Sequence, residues 1–137
     1  MMPNLPYEWP ANFIKAIDGD TIEVMLDRGF HDRSIKRLRL ASVWCFELRS
    51  KDEEEREKAQ AAKAYVEQVC GDFTEGFQLR VRTIKTKSGQ ERRTFGRYVA
   101  YVDVPVPPEV HGQSHPVWKT LNGMIVDAGH GTETRDG

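Results

Sequence analysis

The hydrophobic period of this chain switches twice, and that switch narrows its fold more than any other feature. Strand-like alternation comes first. Ala11–Ile17 is stopped by Asp18-Gly19-Asp20, and Thr21–Leu26 then places Ile22, Val24 and Leu26 on one face at period two. An Asp-Gly dipeptide between two such runs signals a tight turn. After a loop at residues 27–32, Ser34–Val43 sets Leu38 and Leu40 against Arg37 and Arg39. The period then becomes helical. Ala59, Ala62, Tyr65, Val66 and Val69 recur on one stripe, Ser50 and Glu53 form a capping-box pattern, and Gly71 sits where a C-terminal cap belongs. These signals predict an antiparallel three-strand meander followed by one amphipathic helix over Lys51–Cys70.

Alternation returns at Phe77–Ile84, turns at Lys87–Gln90 and runs back at Arg97–Val102. Prolines 105, 107, 108 and 116 predict a loop, and residues 117–127 a short second helix ending at Gly129. The order β-β-β-α-β-β-α predicts a mainly β chain of the α+β class, built as a five-stranded OB-type barrel. Residues 1–10 read as an N-terminal extension, 11–129 as one domain and 130–137 as a disordered tail.

With 137 residues, 39% hydrophobic and 30% charged, the chain suits one globular core. The formal net charge of -1 gives no overall basic signature, so any affinity for nucleic acid must come from charge placement. Arg33, Lys36, Arg37 and Arg39 load the third run, and Arg80, Arg82, Lys85, Lys87, Arg92, Arg93 and Arg97 the last two. The balancing acids gather at the helix start. A basic barrel of this kind suits a phosphate backbone. No signal peptide or membrane span is visible, and two cysteines, Cys45 and Cys70, suit reduced thiols, so a cytoplasmic, monomeric protein is expected. His111 and His115 lie in a proline-rich stretch without partners for zinc.

Three islands carry the chemistry: Asp18-Gly19-Asp20-Thr21, Arg39 with Glu47 eight residues later, and Phe95-Gly96-Arg97. Each alone is common. Together, and in this order, they resemble the staphylococcal (thermonuclease) nuclease family. Ile14–Thr21 resembles its opening strand and turn, Leu38–Leu40 with Val43 and Glu47 its second motif, and Phe95–Arg97 with Ala100-Tyr101 its third. Leu121–Gly129 resembles the helix after its fifth strand.

The resemblance implies a metal-dependent nuclease cutting DNA and/or RNA with little sequence specificity, its cofactor a divalent cation, Ca2+ first and Mg2+ or Mn2+ after it. Carried over by position, Asp20 and the backbone carbonyl of Cys45 are metal ligands, with Asp18 and Thr21 supporting them. Arg39 and Arg97 clamp the reacting phosphate, and Glu47 is the general base or water-positioning residue. Trp44 stands where the family carries a second calcium-binding aspartate, Phe46 replaces a proline and Phe95 a tyrosine. Trp44 and Phe95 are candidates for stacking on substrate bases; Trp44 and Phe46 serve equally as loop-packing residues.

Elementary chemistry agrees with these roles. Phosphodiester hydrolysis builds negative charge around phosphorus, so electrostatic positioning dominates catalysis. Arginine's fork holds two phosphate oxygens. A carboxylate one water away from phosphorus is worth roughly 10²–10⁴-fold. The alternative is a catalytically inactive OB-fold module that binds single-stranded nucleic acid or a protein partner.

Overall fold

The computed structural model describes residues 8–73, 78–83, 93–94, 97–106 and 117–134. Its elements run β1 (Glu8–Asp18), β2 (Thr21–Asp27), β3 (Arg33–Leu40), β4 (Val43–Trp44), α1 (Glu53–Phe73), β5 (Leu79–Thr83), β6 (Arg93–Thr94), β7 (Arg97–Val106), β8 (Val117–Thr120), α2 (Leu121–Asp127) and β9 (Thr132–Glu133). The first three strands form the expected meander, with Asp18 facing Thr21 across the Gly19-Asp20 turn. Register shifts between Phe13 and Lys15 and between Ala16 and Asp18 mark irregularities in β1. Such bulges bend a strand, and β1 uses the bend to pair with β2 along Ala11–Asp18 and with β5 along Glu8–Ala11.

Parallel pairing of Leu38, Arg39 and Leu40 with Tyr98, Val99 and Ala100 joins β3 to β7. With β5 against both β1 and β7, that contact closes a five-stranded barrel, an OB-like α+β fold. The period-two residues fill it: Ile22, Val24, Leu38, Leu40, Leu79, Val81, Ala100 and Val102 are all buried. The stripe of α1 closes one end through Ala59, Ala62, Val66, Val69 and Cys70. Among the described residues no helix is long and apolar enough to cross a membrane.

Several boundaries differ from the sequence reading, each for a local reason. Asp52, rather than Ser50, caps α1, its carboxylate accepting from the amides of Glu54 at 2.9 Å and Glu55 at 3.5 Å. Ser50 instead accepts from the Asp52 amide and donates to Glu55. The helix also continues through Gly71, where packing overrides a weak stop signal. Residues 117–120, read as helix, extend the sheet by pairing with β7. Pro105, read as loop, lies in β7 opposite Trp118.

The tail is the largest correction. Residues 130–134 are ordered: Val43 pairs with Glu133 and Trp44 with Thr132. The cause is at the end of α2, where Gly129 (φ 81°) donates to the Val126 carbonyl and His130 to that of Ile125. This is a Schellman turn, and it sends the chain back along β4. Glu8–Pro10, read as extension, belong to β1.

Candidate functional site

The β1–β2 turn lies against α1 and the loop after β4, and its glycine is required by that closeness. A Cβ on Gly19 would come within 2.6 Å of the Ala62 Cβ and 3.0 Å of the Cys45 Sγ. The turn therefore presents Asp18 and Asp20 at the rim where β3 ends.

Asp20 is only 8% exposed and well partnered. Its Oδ2 accepts from the Cys45 amide at 3.0 Å, its Oδ1 from the Thr21 hydroxyl at 3.2 Å, and its carbonyl from the Leu40 amide at 2.8 Å. Burial pushes its carboxyl above the usual aspartate range; the Arg39 charge and the Cys45 and Thr21 hydrogen bonds partly offset that. Arg39, opposite Thr21 in the β2–β3 register, places Nη2 3.7 Å from Asp20 Oδ2 and donates through Nη1 to the Leu40 carbonyl. Its guanidinium is thus held on two sides at the barrel rim.

Asp18 anchors the next segment, accepting from the Leu48 amide at 3.2 Å. Glu47, one residue earlier, is exposed, and its carbonyl accepts from the Ser50 amide at 3.1 Å. The two aspartates of the turn thus fix both ends of residues 45–48, the segment that carries Glu47. Cys45 is a buried thiol pushed up to about 12 by burial first and the Asp20 charge second, which keeps it protonated near neutral pH.

Asp18, Asp20, Thr21, Arg39, Cys45 and the 45–48 loop therefore meet. Arg97 enters β7 two residues before Val99, the partner of Arg39, while its side chain lies outside the described residues. Phe95, His111 and His115 also lie outside them.

The donor set for a cation is sparse. Calcium takes six to eight oxygen ligands, whereas magnesium keeps several waters and needs only one or two carboxylates besides substrate phosphates. Both Asp20 oxygens already accept hydrogen bonds. Among the described residues no three His, Cys, Asp or Glu side chains group as a metal site.

No protein-family model matches the sequence, and no curated protein matches it.

Three features escaped the sequence reading. Asp103, 5% exposed, accepts from Arg82 Nε and Nη2, both at 2.9 Å, and from Arg80 Nε at 3.2 Å. Two arginines counted toward the basic barrel are thereby paired; the acid in an otherwise apolar Tyr-Val-Asp-Val run was the available signal. Asn122 accepts from the Val102 amide and donates to the carbonyls of Ala41 and Ala100, tying α2 to the rim. Gly131 is the third. A Cβ there would meet Cys45 Sγ and the Trp44 carbonyl at 3.0 Å.

Proposed function

We propose that the chain is a metal-dependent nuclease of the staphylococcal type, hydrolysing phosphodiester bonds of DNA and/or RNA with little sequence specificity. One observation carries this reading: Asp20 and Arg39 meet at the barrel rim directly beside the anchored loop that bears Glu47.

Arginine has five N–H donors. The contacts of Arg39 to the Leu40 carbonyl and Asp20 leave others for phosphate oxygens. Its orientation is set before substrate arrives, which is what electrostatic catalysis requires. Arg97 is assigned the second clamp, on the strand beside β3. Glu47, exposed on a loop held by Asp18, orders the attacking water and takes its proton as the new P–O bond forms; the ester P–O bond breaks, and its oxygen leaves as a hydroxyl with a proton from solvent. Asp20 and the Cys45 carbonyl would hold the divalent cation, calcium by family resemblance and magnesium or manganese by donor set; when bound it polarises a phosphoryl oxygen. The working unit is a single chain, and two buried thiols outside any disulfide suit the cytoplasm.

The test is incubation with single-stranded DNA, duplex DNA and RNA in calcium, magnesium, manganese or EDTA. Cleavage that needs a cation and falls by about 10²-fold or more in Glu47→Gln is expected. A folded protein that cuts none of these substrates with any cation overturns the proposal. The second reading, a silent binding module, is favoured by the full engagement of Asp20 and by Trp44. It predicts salt-sensitive binding without cleavage.

A further inference from the structure

Beside Cys45 the chain forms a concavity. A cleft of about 250 Å³ is lined by Trp44, Phe46, Lys58, His130, Gly131 and Thr132 among others. Trp44 is 43% exposed although it is one of the largest apolar side chains in the molecule. Its ring meets the Phe46 ring nearly edge-on, with centroids 4.8 Å apart and planes at 69°. The Lys58 ammonium stands 5.6 Å from the Phe46 ring centre.

This wall is rigidly built. The backbone of Trp44 pairs with Thr132 in the β4–β9 ribbon, and Gly131 packs so closely that a Cβ there would meet Cys45 Sγ and the Trp44 carbonyl at 3.0 Å, tighter than an ordinary contact. On the far side the His130 ring lies against Tyr65, centroids 4.8 Å apart. A tryptophan that only plugged a loop would bury its faces, since burial of apolar area is what stabilises it. Here the backbone is fixed on both flanks while much of the indole stays in water.

We propose that this cleft is a base subsite: it takes one unpaired nucleobase of a single strand, stacked on Trp44, beside the phosphate assigned to Arg39. The inference rests on the nucleic-acid reading above and extends it to substrate form. Its occupant follows from chemistry and continuity. Bases stack on aromatic rings whatever their sequence, whereas a paired base inside a duplex has no free face to offer. Among the described residues no acid lines the cleft, and the ammonium of Lys58, beside the Phe46 ring, also faces an exposed and therefore well-screened Glu54 at 3.5 Å. Cys45 joins the two places, since its amide binds Asp20 and its side chain lines the cleft.

Binding is measured in EDTA, by fluorescence anisotropy of dye-labelled ligands: a short oligothymidylate, a duplex of equal length and an abasic deoxyribose-phosphate oligomer. Trp44→Leu is expected to lose about tenfold in affinity for oligothymidylate and none for the duplex, while Trp44→Phe keeps both within about twofold. The abasic oligomer is expected to bind wild type and the Leu variant alike. Equal affinity of wild type and Trp44→Leu for oligothymidylate overturns the proposal, as does an equal loss on strand and duplex. Should the Leu variant not fold, acrylamide quenching of the wild-type protein decides: oligothymidylate shields a tryptophan and the abasic oligomer does not, and equal shielding by both overturns the proposal. A chain that stacks bases in EDTA but cuts nothing defeats the nuclease reading alone. One that cuts without dependence on Trp44 defeats this inference alone.

Discussion

The Cys45 amide donates to Asp20 Oδ2 at 3.0 Å, joining the turn after β1 to the loop after β4. Twenty-five residues separate the partners in sequence. Asp20 is therefore a structural acceptor before it is anything else, and Arg39 and the Glu47 loop both take their positions from it. Asp20→Ala leaves the Cys45 amide without an acceptor and Arg39 without its counter-charge. Leaving a buried donor unmatched costs about 1–3 kcal/mol, so denaturant unfolding of the Ala variant should show a loss in that range. Asp20→Asn keeps an acceptor for the amide and should lose less; equal losses would mean that the charge alone matters.

Gly19 gives a sharper test of the same corner. Its missing Cβ would lie 2.6 Å from the Ala62 Cβ, closer than two carbons approach. Gly19→Ala should destabilise by about 1–3 kcal/mol, the usual cost of overpacking. Ala62→Gly makes room on the facing helix at about 1 kcal/mol for its own helix penalty. The pair should then be less destabilised than the sum of the two changes, with a coupling of at least about 0.5 kcal/mol. Simple additivity in urea unfolding would show that the turn and α1 do not touch as described.

The thiols set a pH window. Burial raises Cys70 from an ordinary 9.0 to about 12, and burial with the Asp20 charge does the same for Cys45. An unfolded thiol loses its proton near pH 9 while the folded one keeps it, so between pH 9 and about 12 the native state binds more protons. The stability this provides is complete below the unfolded value and lost as pH rises through the folded one. Thermal unfolding should show the loss, and Cys70→Ala should make it shallower. A disulfide-exchange reagent at pH 8 should find neither thiol until denaturant is added; prompt reaction of either in the native protein would contradict their burial.

What was legible in the sequence follows a physical pattern. Strands with period-two cores, such as Ile22-Glu-Val-Met-Leu26, and the stripe of α1 were readable because burial on one face writes a period. The Asp-Gly turn was readable because few dipeptides make it. The ends of elements were not. Ser50 and Asp52 are both good caps, and only the backbone decides between them. Thr132 and Glu133 carry no period, because a two-residue strand is too short to have one. Asp20 and Arg39 were found by motif, but their contact was not, since it depends on the register that sets Thr21 against Arg39. Asp103 was hidden for a related reason: its arginines lie on a strand more than twenty residues away.

Trp44 is the position where the chain's chemistry can be turned. Among the described residues Asp20 is the one aspartate in direct contact with Arg39, and on the proposed nuclease reading position 44 is that of a second cation-binding carboxylate. Ligand charge tunes calcium affinity over several orders of magnitude, so Trp44→Asp should bind calcium at least about tenfold more tightly than wild type by calorimetry. The added charge has a second consequence. If position 44 faces Asp20, as the nuclease reading requires, a new carboxylate there adds to the charge of Asp20 when no cation is present, so the variant should melt below wild type in EDTA. Calcium that binds only the folded form should then raise its melting temperature more than that of wild type. The same substitution removes the exposed indole, so gain of cation affinity and loss of single-strand affinity should appear together in one protein. Unchanged calcium binding in Trp44→Asp would mean that the 44–46 backbone does not present this position toward Asp20.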